Sequence, residues 1–166
     1  MTETIFYKGI VKSPVGNLEI TATDKGVRRI EFLDEPITRI YEMNSQVQKC
    51  KQQLQEYFKG TRKLFTIDLD LQGTEFQKLV WMSLLTIPYA VTVSYKFIAK
   101  MVGDPNAVRA VGMANNKNNI PIIIPCHRIV GNKGSLTGYA GGLWRKDWLI
   151  NHELEYSNSE KQLNLF

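Results

Sequence analysis

In the first third of the chain, apolar-rich stretches are interrupted by short turn segments, and this pattern predicts a small antiparallel sheet. These strand-like stretches are separated by Ser-Pro-Val-Gly and Asp-Lys-Gly, which are typical turn sequences. Apolar residues then recur at three- and four-residue steps from Val47 to Phe58, so we predict a helix that ends at Gly60. A later alternation predicts one more half-buried strand. The four predicted strands cover residues 6–12, 18–23, 27–33 and 65–71.

The second half of the chain has mainly helical periodicity. A capping box that starts at Thr74 precedes an apolar stripe ending at Pro88. A last helix is predicted over residues 143–153, and the chain from Ser157 onward is predicted to be a flexible tail. Between these helices, residues 120–124 form a dense apolar run, which predicts a buried, extended segment.

Two short helices with a glycine-containing turn between them predict a helix-turn-helix. The first is capped by Ser94, and Asp104 followed by Pro105 predicts that the second starts at once. This second helix, predicted over residues 105–115, is rich in small residues and carries Arg109 as its only charge. Such a helix could approach a DNA backbone closely, but it would read little sequence.

These elements predict an α+β fold with two domains and a tail. Residues 1–72 form an N-terminal β-meander with a helix, for which we predict a scaffolding role. Residues 73–156 form a mostly helical C-terminal domain that contains the helix-turn-helix and the candidate chemistry. Residues 157–166 form the predicted tail.

Charge is distributed unevenly over the 166 residues, whose formal net charge is +5. Residues 1–72 carry eleven Lys and Arg against ten Asp and Glu, whereas residues 73–152 carry nine against three. A basic segment suits a polyanionic partner, because Lys and Arg replace the counterions of phosphates. A mildly basic, solvated surface explains the same counts, so charge alone does not establish nucleic-acid binding.

The sequence predicts an intracellular protein. It has no apolar run long enough to span a membrane and no secretory signal, and its two cysteines argue against a disulfide scaffold. We therefore expect a cytoplasmic, or otherwise intracellular, location with access to DNA.

The sharpest chemical feature is the segment Pro125-Cys126-His127-Arg128. A nucleophilic sulfur must be a thiolate, and an adjacent imidazole and guanidinium favour that form. Neighbouring side chains diverge, so we expect His127 to reach Cys126 through a water molecule. Glu153, on the last predicted helix, is a candidate acceptor that would orient the imidazole. An isolated cysteine after an apolar run is more often a small core residue, so the segment alone does not decide the chemistry.

This segment resembles the active-site signature of the O6-alkylguanine-DNA alkyltransferases. The resemblance is close over residues 73–153, whereas residues 1–72 resemble the family only in size and arrangement. Several linked motifs in one order are much more specific than any one of them. The matching stretches are GTEFQ (73–77), VSY (93–95), RAVG (109–112), IIIPCHRIV (122–130), GYAGG (138–142) and LINHE (149–153).

The resemblance implies direct-reversal DNA repair without a cofactor. An alkyl group would pass from O6 of guanine, and also from O4 of thymine, to the protein's own cysteine, irreversibly and once per molecule. Flipping of the damaged nucleotide fits this chemistry, because the target atom cannot be reached inside a stacked duplex. The implied catalytic residues are Cys126 as nucleophile and acceptor, His127 as base, Glu153 as its orienting group, Tyr95 as donor to the departing guanine, and Asn118 as a brace of the active-site loop.

The resemblance also implies a monomer that binds alkylated double-stranded DNA through the minor groove, regardless of sequence. Arg109 would fill the gap left by the flipped nucleotide, with Ala110, Met113 and Tyr95 at the DNA surface. Taken alone, Arg109 is also explained by a salt bridge on a helix surface. The implied base pocket is bordered by Tyr139, Gly138 and Ala140.

Three positions depart from the family pattern. Met113 stands where a second glycine is common, Asn119 where proline is frequent, and Ala140 where some relatives have serine. These departures leave the preference among alkyl groups open without affecting the reaction class. No metal site is predicted, because the two cysteines and two histidines lack the spacing of zinc ligands.

Two other functions compete with alkyl transfer. The first is a non-catalytic DNA-binding protein that senses alkylated guanine, although such a protein would not need Cys126. The second is a thiol hydrolase that uses Cys126 and His127, which would require an oxyanion hole and repeated turnover.

Overall fold

The computed structural model describes residues 2–163 and has an α+β architecture, which confirms the predicted fold class. Contacts between backbone positions separate the chain into two compact units, Met1–Gln72 and Gly73–Phe166. The first unit combines a three-stranded sheet with one helix, and the second combines a two-stranded sheet with several helices.

The first unit is an antiparallel meander with one helix packed against it, as the sequence pattern predicts. Helix α1 (Ser45–Phe58) begins after Asn44, whose side chain accepts a hydrogen bond from the Val47 amide. It places Cys50 in the core, and Gly60 follows it in a left-handed conformation with φ 78°. The strands are β1 (Tyr7–Val11), β2 (Asn17–Thr23) and β3 (Gly26–Leu33), paired in that order.

The prediction of a strand at residues 65–71 is wrong. In the described chain this segment forms one bridge, between Leu69 and Val27 at the start of β3. The Thr66 amide instead donates to Gln53 Oε1 at 2.9 Å, and its hydroxyl accepts from Gln53 Nε2 at 2.8 Å. Because the Gln53 side chain of α1 forms these hydrogen bonds, the backbone at Thr66 does not pair with the sheet. The residues of the segment still alternate in burial.

The second unit is mostly helical. Its elements are α2 (Glu75–Leu84), β4 (Val93–Ser94), α3 (Tyr95–Met101), α4 (Val108–Asn116), β5 (Ile129–Val130) and α5 (Leu143–Leu163), with 3₁₀ turns at Cys126–Arg128 and Asn132–Gly134. The capping box is confirmed, since Thr74 and Gln77 each accept a hydrogen bond from the other's amide. The parallel pairing of β4 with β5 brings Val93 beside Ile129, next to the turn that carries the cysteine.

The helix-turn-helix forms from α3 and α4, but the second helix begins later than predicted. Ser94 caps α3 as expected, and its Oγ accepts from the Phe97 amide. Asp104 does not cap a helix at Pro105, because its Oδ1 accepts from the Asn106 amide and closes a separate turn. Helix α4 therefore starts at Val108.

The apolar run at residues 120–124 is buried as predicted, but it is a tight turn and not an extended segment. The Ile124 amide donates to the Ile120 carbonyl at 3.0 Å, and Ile122 adopts φ 74°. A left-handed conformation costs a β-branched residue about 1–2 kcal/mol, so its surroundings must hold it in place.

The last helix does not end near Glu153. Helix α5 continues to Leu163, so the backbone of the predicted tail is helical from Ser157 to that residue. The final three positions of the predicted tail lie outside the described residues. Within the described chain, the helices are too short or too polar to cross a membrane.

Candidate active site

Cys126 lies in the first position of a 3₁₀ turn, directly after the buried turn at Ile122. The Asn118 side chain braces that turn from inside: its Nδ2 donates to the Ile124 carbonyl at 2.9 Å, and its Oδ1 accepts from the Ile120 amide at 2.9 Å. These two bonds satisfy backbone groups that regular secondary structure would otherwise pair. The structure therefore places Asn118 where the sequence predicts a brace.

Cys126 is only 4% exposed, and polar side chains surround its thiol. Burial raises the pKa of this thiol to about 11, although Asn118, Lys146 and Tyr139 each act in the opposite direction. The thiol is therefore protonated near neutral pH. The expected thiolate, favoured by an adjacent imidazole and guanidinium, is not the resting form, so a base must remove the proton before the sulfur can react.

His127 and Glu153 form the buried pair that the sequence predicts. Their Nε2 and Oε1 atoms are 2.7 Å apart. Burial would raise the pKa of Glu153, but hydrogen bonds from His127 and Arg128 and the charge of Arg128 hold it far below its usual value, so the carboxylate is ionised and Nε2 must donate. The opposite ring nitrogen, Nδ1, is buried without a hydrogen-bond partner. Burial lowers the pKa of His127, which leaves Nδ1 with a free lone pair.

Arg128 is directed to the same carboxylate. Its Nε donates to Glu153 Oε2 and one terminal nitrogen to Oε1, both at 3.0 Å, while the other terminal nitrogen donates to the Ile87 carbonyl at 2.7 Å. The guanidinium also lies over the ring of Tyr89, 5.7 Å from its centroid. The charge of Arg128 is thus applied to Glu153 and not to the cysteine.

Lys146 is a buried lysine on α5 that the sequence did not single out as a site residue. Its Nζ donates to the Thr137 carbonyl at 2.8 Å, and its charge lowers the pKa of Cys126. A thiolate formed at Cys126 would therefore meet an ammonium group. The pattern of α5 carried a usable signal, since Lys146, Leu149 and Glu153 fall on one face at steps of three and four. A lysine within the buried face of a helix needs an anionic or carbonyl partner.

Tyr95 meets the same carbonyl from α3. Its hydroxyl donates to the Thr137 carbonyl at 3.3 Å and accepts from Thr137 Oγ1 at 3.2 Å. A cavity of about 520 Å³ opens beside it. This cavity is lined by residues of α3, the start of α4 and the loop after β5: Ser94, Tyr95, Lys96, Val108, Val130, Gly131, Asn132, Ser135 and Thr137.

The glycine-rich loop brings Tyr139 close to the cysteine, and its side chain lowers the pKa of the Cys126 thiol. Gly138 has φ 41°, which favours glycine, and a Cβ there would lie 3.4 Å from Asn116 Oδ1. Ala140 is exposed. At the end of the loop, Trp144 is 55% exposed and the Arg145 guanidinium covers its ring at 4.7 Å.

Helix α4 presents its small-residue face to solvent. Arg109 and Ala110 are exposed, and Met113 is 69% exposed, whereas Val111 and Ala114 are buried. Three of the four residues predicted to face DNA thus share the exposed side of α4, whereas the fourth, Tyr95, lies at the start of α3. Gly112 lies close to Tyr95, since a Cβ there would be 3.8 Å from the ring.

Family models identify both units. The ribonuclease-like domain of 6-O-methylguanine DNA methyltransferase matches residues 6–71, and the DNA binding domain of the same family matches residues 75–155. The chain belongs to the 6-O-methylguanine DNA methyltransferase family.

Relatives in this methyltransferase family match the chain over most of its length. A methylated-DNA–protein-cysteine methyltransferase of Methanosarcina barkeri is 43% identical and is covered to 96%, with 89% of this chain aligned. The crystal structure of Mycobacterium tuberculosis O6-methylguanine methyltransferase superposes with a TM-score of 0.81 at 40% identity, over 90% of this chain and 93% of that one. The structure of that methyltransferase in complex with DNA matches with the same TM-score and coverage at 41% identity.

The described part of this methyltransferase contains no group of three or more His, Cys, Asp or Glu side chains that could hold a metal ion. Its second cysteine, Cys50, is fully buried in α1, and burial raises the pKa of that thiol to about 12. Cys50 therefore lacks the polar neighbours that lower the pKa of Cys126.

Proposed function

We propose that this chain repairs alkylated DNA by taking an alkyl group from O6 of guanine onto Cys126. The observation that carries the proposal is the buried, unpartnered Nδ1 of His127, next in sequence to a protonated buried thiol. Membership of the methyltransferase family and the similarity to methylated-DNA–protein-cysteine methyltransferases support the same reaction. A core cysteine would not need a base, an ionised carboxylate and a lysine arranged around it.

The reaction begins with proton transfer from Cys126 to His127 Nδ1 through one water molecule. The sulfur then attacks the alkyl carbon, a carbon–sulfur bond forms and the carbon–O6 bond breaks, and guanine leaves with the bonding electrons. Tyr95 gives the departing base a proton, and His127 returns its proton to the tyrosine through solvent. Glu153 orients His127, and Lys146 stabilises the developing thiolate.

The product is a thioether, which this group of side chains cannot hydrolyse. Each molecule therefore acts once, and the protein is consumed in proportion to the lesions it repairs. We extend the substrate class to O4-alkylthymine, whose reacting carbon is also bonded to an exocyclic oxygen.

We further propose that a monomer binds duplex DNA by placing α4 in the minor groove, with the damaged nucleotide flipped out. The small residues of α4 would allow close approach, and Arg109 would fill the gap in the base stack. The similarity to the DNA-bound methyltransferase of Mycobacterium tuberculosis supports DNA as the partner. Contacts through small residues and one arginine would depend little on sequence.

Intact-protein mass spectrometry tests the alkyl transfer. After mixing with a duplex that contains O6-methylguanine, we expect the protein to gain the mass of one methylene group, with one methyl group removed per protein molecule. Peptide mapping is expected to place the methyl group on Cys126 and not on Cys50. Binding without a change in mass would support the sensor function, and repeated turnover would support a thiol hydrolase; either result would contradict our proposal.

Replacing Arg109 with alanine tests the proposed wedge. Unstacking a base step costs a few kcal/mol, so we expect repair of duplex O6-methylguanine to slow by about 100-fold. Reaction with O6-methylguanine as the free base should be unchanged, because no stack has to be opened. The matched control is Arg29→Ala, which removes an exposed arginine of the first unit that pairs with Glu31. Unchanged duplex repair in Arg109→Ala would refute the wedge.

A further inference from the structure

The hydrogen bonds of the Arg128 guanidinium are made to groups around the site and not to the sulfur of Cys126. Two of its nitrogens form a fork on Glu153, and the third holds the Ile87 carbonyl. The residue is 7% exposed, so these are buried, charge-assisted hydrogen bonds. His127 already pairs with Glu153, so the two hydrogen bonds from Arg128 to the same carboxylate need a separate explanation.

Glu153 therefore accepts hydrogen bonds from two side chains and one backbone amide. Oε1 accepts from His127 and Arg128, while Oε2 accepts from Arg128 and from the Ala90 amide at 3.0 Å. Ala90 has φ 62°, so this bond also holds a loop residue in a left-handed conformation. The carboxylate cannot rotate without breaking its two hydrogen bonds to Arg128.

Three charged groups act on His127: Glu153 favours its protonated form, whereas Arg128 and Lys146 oppose it. A buried imidazole paired with an ionised carboxylate alone would tend to hold a second proton, as a buried ion pair. A doubly protonated imidazole has no lone pair at Nδ1 and could not accept the thiol proton.

We propose that Arg128 is a positioning residue that keeps His127 neutral, with its proton on Nε2 and its lone pair on Nδ1, by occupying the carboxylate of Glu153. The inference rests on the proposed function only in that His127 acts as the base. The state of the imidazole itself is a property of the folded protein and can be measured without DNA.

The test is an NMR titration of histidine-labelled protein, in which His127 and His152 are the only histidines. In the unmodified protein we expect His127 to be the Nε2–H tautomer and neutral at pH 7. In Arg128→Gln the pKa of His127 should rise by about one unit or more, which is the scale of a neighbouring charge. The acid limb of the methyl-transfer rate should move to higher pH by the same amount.

Arg128→Lys is the conservative variant, and it also covers the case in which Arg128→Gln does not fold. It retains the charge but not the fork, so we expect a smaller shift in the same direction, with partial recovery of the rate at pH 7. The matched control is Arg28→Gln, which removes an arginine that pairs with the buried Asp70 in the first unit and should leave His127 unchanged.

The possible outcomes separate the two proposals. An unchanged His127 titration in a folded Arg128 variant would overturn the role of Arg128. A shifted titration without a shifted rate profile would support the electrostatic role of Arg128 but contradict His127 as the base. A fall in rate that is equal at all pH values would indicate a merely structural role and would also overturn the inference.

Discussion

Replacing Cys126 with alanine is expected to abolish methyl transfer completely. The variant removes the thiol that has a base arranged beside it, so no mass increase and no loss of O6-methylguanine should be seen at any protein excess. The substitution removes one sulfur from a site that is otherwise held by Asn118, Glu153 and Lys146, so we expect the fold and DNA binding to be retained. Gel-shift and circular dichroism measurements check both points.

The control for this variant is Cys50→Ala. Cys50 is buried in α1, and its loss leaves a small cavity that costs about 1 kcal/mol in the free energy of unfolding. Methyl transfer should still occur with one methyl group per molecule. Methyl removal by Cys126→Ala, at any stoichiometry, would disprove the nucleophile.

Replacing Glu153 with glutamine is expected to lower the free energy of unfolding more than any other substitution proposed for this protein. The carboxylate accepts hydrogen bonds from His127, Arg128 and the Ala90 amide inside the protein. An amide keeps the shape but leaves the buried guanidinium without its counter-charge, which costs about 3–5 kcal/mol. Chemical denaturation measures this change. Methyl transfer should also fall strongly, because the imidazole loses the acceptor that fixes its tautomer.

The same variant should change the dependence of stability on pH. The folded pKa of Glu153 lies below its ordinary value of 4.5, so its stabilisation is present above that pH and is lost as pH falls below it. The pKa of His127 is also lowered by burial, so protonation below its ordinary value of 6.5 favours the unfolded chain. We expect the unmodified protein to lose stability through both ranges. In Glu153→Gln the loss below pH 4.5 should be smaller, and the part that remains should come from Glu19 and Asp70, whose pKa values are also lowered.

Glu19→Gln is the matched control for Glu153. Glu19 is also a buried carboxylate with two partners, Lys8 and Tyr41, but Lys8 is more than one-third exposed. Solvent can replace part of that interaction, so the loss of stability should be about 1 kcal/mol and methyl transfer should be unchanged. An equal loss in the two variants would contradict a special role for the Glu153 network.

Local features of the second unit were predictable from the sequence where a residue hydrogen-bonds to a residue close to it in the chain. The capping box at Thr74 and the cap at Ser94 are satisfied within three residues, so composition and spacing suffice. The brace at Asn118 and the pairing of His127 with Glu153 lie further apart, and the linked family motifs, not periodicity, indicated them.

Features that depend on tertiary contacts were not predictable. Residues 65–71 have the alternation of a strand, but their hydrogen bonds go to the Gln53 side chain, which the pattern does not contain. The neighbours of Cys126 suggested a thiolate, whereas burial outweighs them and Arg128 is turned to Glu153. The role of Lys146 was not predicted because most lysines lie at the protein surface.

The position of Trp144 gives the protein its own optical probe of the glycine-rich loop. Of the three tryptophans, Trp81 is buried and donates to the Ala114 carbonyl, Trp148 is half-buried beside His152, and Trp144 is largely exposed. Trp144 follows the glycine-rich loop directly, and a Cβ at Gly142 would lie 3.5 Å from its ring. Quenchable, solvent-facing fluorescence should therefore come mainly from Trp144, so the effect of DNA on the surroundings of this loop can be measured in unlabelled protein.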